Sequence, residues 1–147
     1  MTPANDLYLQ AIKYGLEIPQ SLHDASPAER EACWNGAGPE RLPKVRRFLT
    51  FILAFLEPIF LIHDWRYYKA IGTRQDWLDA NAQMERNGHT LIRRKLAWWL
   101  IWRRPGLEAA NEGARIAVDS QEGCKAYQDA YAARVEREFT PGPEMQA

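Results

Sequence analysis

At 147 residues and 17.0 kDa the chain is the size of one domain, with no room for two. Its 19 Lys+Arg balance 19 Asp+Glu, so it lacks the basic surplus of a protein that binds nucleic acid by neutralising phosphates. With 46% hydrophobic residues a core is affordable and disorder is excluded for most of the chain, while six Trp must be either buried or presented to a partner. Cys33 and Cys124 make no disulfide framework and are expected as buried thiols. Asn5, Asp6, Lys13 and Glu17 interrupt any secretory signal near the start, so a reducing cytoplasm is the default expectation. The longest apolar run, Phe48 to Ile62, is broken by Glu57 and Pro58 and falls short of the roughly 20 residues of a membrane span.

In chain order, Leu7, Leu9, Ile12 and Leu16 recur at near-helical spacing until Pro19. Ser26-Pro27-Ala28-Glu29 combines a cap, a first-turn proline and a first-turn acid, and opens a short helix into Cys33. Asn35-Gly36-Ala37-Gly38-Pro39 is the sharpest loop signal in the sequence. A helix apolar nearly all round is predicted from Val45 to Leu56. Pro58 then begins another, which ends at about Ile71 with Gly72 as its stop. Thr73-x-x-Asp76 opens a helix through Trp77, Ala80 and Met84, with Asn87-Gly88 as its stop. One more helix spans Leu91 to Trp102, ending at Arg103-Arg104-Pro105-Gly106. The last runs from Leu107 to about Glu138, with weak points at Gly113 and Gly123, before a frayed tail, 141–147. The expected fold is all-α, a single domain over residues 1–140.

Three histidines, His23, His63 and His89, limit where histidine chemistry can sit. His63 and Tyr67 are four apart and share a helix face. A short turn at Gly72-Thr73 folds the next helix back, which lets Asp79 meet His63 and hold it as a general base. Asp64, offset by about 100° around the helix, is expected to face a cation. Calcium takes six to eight oxygens, and the carbonyls of Asn35-Gly36-Ala37-Gly38 with the Asp64 carboxylate suit such a hard ion. An ion there would polarise an ester carbonyl while His63 takes a proton from water.

Gly36-x-Gly38-Pro39, then Ile62-His63-Asp64-Trp65-x-Tyr67, then Asp79, resembles the phospholipase A2 superfamily, with its calcium loop and its His-Asp-x-x-Tyr helix. It is closer to the small bacterial and phage-borne proteins with an Ile-His-Asp-Trp-x-Tyr motif than to the disulfide-rich secreted enzymes, since the residues leading into His63, Pro58-Ile-Phe-Leu-Ile62, include no cysteine to pair with Cys33. The likeness covers residues 33–87. It implies a phospholipase A2-like fold with two antiparallel catalytic helices, and calcium-dependent hydrolysis of glycerophospholipid esters at the sn-2 position. By position it implies His63 as the base, Asp79 orienting it, and Tyr67 bonding to that pair. Asp64 and the carbonyls of Gly36, Gly38 and Trp34 become calcium ligands, and the Gly36 amide serves the oxyanion hole.

Other residues have plainer readings. Asp76 reads as a helix cap, His23 as loop or cap, and His89 as surface. Trp98, Trp99 and Trp102, flanked by arginines, fit either a core helix or a peripheral contact with a phospholipid membrane surface. Two rival functions use the same residues differently. A metal-dependent phosphohydrolase would use His23, His63-Asp64 and Asp119 in that order, and a helical interaction scaffold would keep the fold without turnover.

Overall fold

The computed structural model describes the backbone of residues 2–34, 46–96 and 98–139, and the side chains of 2–34, 54–96 and 101–138. The elements in order are α1 (Pro3–Lys13), α2 (Gln20–His23), α3 (Pro27–Cys33), α4 (Arg46–Tyr68), α5 (Arg74–Lys95), a 3₁₀ turn (Trp98–Arg103), α6 (Arg104–Val118) and α7 (Gln121–Phe139). No strand occurs among the described residues, and the fold is all-α. The expected tail, 141–147, lies outside them.

A helix apolar nearly all round belongs at the centre, because every face must be kept from water. That helix is α4, which packs against α1, α3, α5, α6 and α7. Its Leu56, Ile59, Leu61, Ile62 and Trp65 join Leu7 and Ala11 of α1, Leu22 of α2, Met84, Leu91 and Ile92 of α5, and Leu107 of α6 in one core. Burying each large apolar side chain contributes about 1.5–3 kcal/mol. On α1 the inward face is Ala4, Leu7, Tyr8 and Ala11, whereas Leu9 and Ile12 are exposed. Ser26 caps α3 as expected, and its pairing with Glu29 is a reciprocal capping box. Helices α4 and α5 are antiparallel, since Arg66 meets Asp76, His63 meets Asn81, and Lys95 meets the Phe55 carbonyl.

Three expected helix boundaries are corrected. Pro58 does not start a helix but lies inside α4. It has no N–H for the carbonyl one turn before it, and the neighbouring Phe55 carbonyl is taken by Lys95 Nζ at 3.1 Å. Asn87-Gly88 is not a stop either, because α5 runs through it to Lys95. Asn87 spends its side chain on the backbone of Glu17, accepting from the amide at 2.7 Å and donating to the carbonyl at 2.9 Å. Gly88 leaves room for α6, as a Cβ there would lie 1.8 Å from Asn111 Oδ1. In the third case Pro105 sits in the first turn of α6, where its missing N–H costs nothing. The helix expected over Leu91 to Trp102 is therefore divided between the end of α5 and the 3₁₀ turn.

Gly88→Ala follows as a prediction with two opposing terms. Helix propensity favours alanine by about 1 kcal/mol, but the Asn111 amide in the way of a Cβ is 1% exposed. Overpacking of this kind costs about 1–3 kcal/mol, so chemical denaturation should show a net loss, smaller when Asn111→Ala is also present. An unchanged midpoint would remove this account of Gly88.

The single helix expected from Leu107 to about Glu138 is instead two, α6 and α7, divided at Asp119-Ser120 and not at either weak point, Gly113 or Gly123. Ser120 Oγ accepts from the Gly123 amide at 3.2 Å and so caps α7. A Cβ on Gly123 would meet the Val118 carbonyl at 2.2 Å, so this glycine permits the tight return. Gly113 faces open space.

Candidate active site

His63 and Tyr67 share one face of α4, as their spacing requires, with ring centroids 4.2 Å apart. Facing them, α5 turns Trp77, Ala80, Asn81 and Met84 inward, a stripe of helical period in which Asn81 is the polar member. His63 Nε2 stands 3.2 Å from Asn81 Oδ1, and the Tyr67 hydroxyl donates to that same oxygen at 3.3 Å. On its other side Asn81 Nδ2 donates to the Val118 carbonyl at 3.1 Å and to Asp119 Oδ1 at 2.9 Å. Both amide hydrogens are thereby directed at oxygens, which assigns Oδ1 to the His63 side. An amide oxygen only accepts, so His63 carries its proton on Nε2 and its lone pair on Nδ1.

His63 is only 7% exposed. Burial holds its pKa down at about 4, with a small further push from Arg66 and against the pull of the Asn81 bond. It is therefore a neutral imidazole at pH 7. The unfolded chain takes up this proton near pH 6.5, whereas the folded one does not until about pH 4. Its contribution to stability is accordingly full above pH 6.5 and declines as the pH falls through that window, by about 3 kcal/mol in all. Urea midpoints measured across pH 7 to 4 check this; a stability that does not decline would refute the buried neutral form. Burial also pushes the Tyr67 phenol well above its ordinary range, so it remains a donor.

His63 and Asp64 both line a cavity of about 560 Å³ together with Cys33, Tyr67 and Tyr68. Its α7 wall is Ala126, Ala130 and Ala133, with Arg137 beyond them. The Cys33 thiol is pushed up to about 12 by burial and then by the Asp64 charge, so it is no thiolate nucleophile at neutral pH.

Asp79, expected at His63, is not there. It lies on the exposed side of α5 and accepts from Gln75 Nε2 at 2.8 Å. Two residues in sequence is about 200° around a helix, so Asp79 and Asn81 cannot share a face. Asp76 is structural: it pairs with Arg66 at 2.8 Å and accepts from Tyr127 at 2.5 Å. His23 is occupied elsewhere, 2.9 Å from the Tyr8 hydroxyl through Nδ1. Asp119 is taken by Asn81 and Arg115. The His23, His63-Asp64 and Asp119 set is not gathered, and among the described residues no three His, Cys, Asp or Glu side chains form a group able to hold a metal.

Gly36 and Gly38 lie outside the described residues. Trp34 is the C-cap of α3 and packs partly buried against the core. Of the expected calcium ligands, Asp64 is the one carboxylate, and it shares its cavity with Cys33, the last residue of α3, which precedes the glycine segment in the sequence. The side chains of Trp98 and Trp99 are outside the described set. Trp102 is 67% exposed beside Ile101 at 60%, with the Arg103 guanidinium 4.7 Å from its ring. No helix of the described residues is long and apolar enough to cross a membrane.

Fold and site together define an all-helical protein whose buried, amide-held histidine lines a cavity beside a carboxylate. The chain matches no family model, no curated protein and no solved structure.

Proposed function

We propose that the protein hydrolyses glycerophospholipid esters in a calcium-dependent, phospholipase A2-like reaction at the sn-2 position. The observation that carries this reading is a neutral His63 with its proton fixed on Nε2, lining one cavity with Asp64. His63 Nδ1 accepts a proton from water as the oxygen attacks the ester carbonyl, and the imidazolium keeps its Nε2–H on Asn81 Oδ1. The same Nδ1 then returns the proton to the leaving alcohol. An asparagine carbonyl in this role has precedent in Cys-His-Asn proteases. Tyr67 holds the Asn81 oxygen from the other side. Calcium, held by Asp64 and the carbonyls of Gly36, Gly38 and Trp34, would supply polarisation of the ester carbonyl, and the Gly36 amide would add a donor to the developing oxyanion.

The alanine wall of α7 suits an acyl chain, because small side chains leave width without polar groups. Ile101 and Trp102 beside Arg103 suit a peripheral contact with a phospholipid membrane surface. One observation favours a second reading, a scaffold without turnover: the group on His63 is a neutral amide where the resemblance implies a carboxylate.

Calcium titration of wild type beside Asp64→Ala, followed calorimetrically, tests the metal half of the proposal. The wild type should bind calcium and the variant should not. Equal binding by both would take Asp64 out of the ligand set.

A further inference from the structure

We infer that Asp119, at the junction of α6 and α7, is the positioning residue that decides which nitrogen of His63 carries the proton. This deepens the hydrolase reading and, for its effect on turnover, rests on it.

An asparagine beside a histidine is ambiguous, since its amide can present either oxygen or nitrogen. If Nδ2 faced His63, the ring would have to accept at Nε2 and hold its proton on Nδ1, and a proton-laden Nδ1 cannot take one from water. The choice is made behind Asn81, not at His63. There Nδ2 has two acceptors, the Val118 carbonyl at 3.1 Å and Asp119 Oδ1 at 2.9 Å. Turning the amide over would lose both bonds and set Oδ1 against two oxygens, one of them a full negative charge. Val118 alone would leave a single acceptor. Asp119 is also held in place: its Oδ2 accepts from Arg115 at 2.8 Å, and Arg115 in turn is fixed by Glu112 at 2.6 Å. Asp119 lines a different cavity, of about 420 Å³, which shares no wall residue with the one at His63. It therefore acts through Asn81 and touches no group that reacts.

The test uses the full chain labelled with ¹⁵N-histidine, at one neutral pH and without calcium, in wild type, Asp119→Ala and Asp119→Asn. Ring nitrogen shifts report the tautomer directly. Wild type should show His63 as the Nε2–H form alone. Asp119→Ala should convert part of it to the Nδ1–H form. Asp119→Asn, which still offers an amide oxygen to Nδ2, should restore the wild-type pattern. In fatty-acid release the alanine variant should lose about tenfold in kcat with KM unchanged, and the asparagine variant should keep its rate. Should Asp119→Ala not fold, Asp119→Ser, whose hydroxyl is too short to reach Asn81, gives the same reading. An alanine or serine variant with wild-type nitrogen shifts overturns the inference. The shifts decide the positioning with or without turnover, so a protein that releases no fatty acid strikes the hydrolase reading and leaves this one standing.

Discussion

Replacing His63 by alanine should lower calcium-dependent fatty-acid release by about 100- to 10,000-fold, the range that general base catalysis supplies. The imidazole is neutral at pH 7, its proton is committed to Asn81, and no other histidine is near enough to substitute, as His23 is bonded to Tyr8 and His89 to Glu108. Cys33 in the same cavity stays protonated. The fold should survive. The substitution removes one hydrogen bond, at about 1 kcal/mol net, and leaves a cavity beside Tyr67 that costs about 2–4 kcal/mol more, while Asn81 Oδ1 keeps the Tyr67 hydroxyl. A domain of this size has about 5–15 kcal/mol to lose. The same variant should lose the acid sensitivity between pH 6.5 and 4 that the buried ring imposes, so circular dichroism, urea midpoints and release assays form one data set. A variant that kept full release would end the role of His63 as base.

Asn81→Asp should destabilise the protein by about 3–5 kcal/mol at pH 7, as expected when a buried charge is set against groups that cannot pair with it. The shape is conserved, but the new oxygen would face the Val118 carbonyl and the Asp119 carboxylate, where Nδ2 now donates. Part of the cost is recovered on the other side, because a carboxylate at His63 raises that ring's pKa. Adding Asp119→Asn returns an amide donor opposite the carboxylate at position 81 and should recover most of the lost stability. Denaturation of the two single variants and the double gives the coupling between positions 81 and 119. Additive effects would mean that the bond between them carries no weight.

Much of this arrangement was legible in the sequence. The cap at Ser26, the turn at Gly72, the central place of the apolar helix and the shared face of His63 and Tyr67 all follow from local rules. The partner of His63 is an amide and not the carboxylate that histidine chemistry suggests. Asp79 is the carboxylate nearest the right spacing, but the stripe Trp77, Ala80, Met84 marks the inward face, and Asn81 falls on it. An asparagine inside such a stripe is a signal, since a buried amide needs partners on both of its atoms. Those partners were not legible: Val118 and Asp119 belong to a helix junction 37 and 38 residues away, created by the Ser120 cap and the space at Gly123. Pro58 and Gly88 ordinarily punctuate helices, but here Pro58 lies inside the buried α4 and Gly88 admits Asn111 of α6, contacts that sequence spacing does not carry.

Fatty-acid release from mixed phospholipid vesicles, with millimolar calcium and again with chelator, wild type beside His63→Ala, tests the central claim most directly. The account predicts release by the wild type that requires calcium and is lost with the imidazole. Release that persists in chelator or in the variant, or none from well-folded wild type, would contradict it.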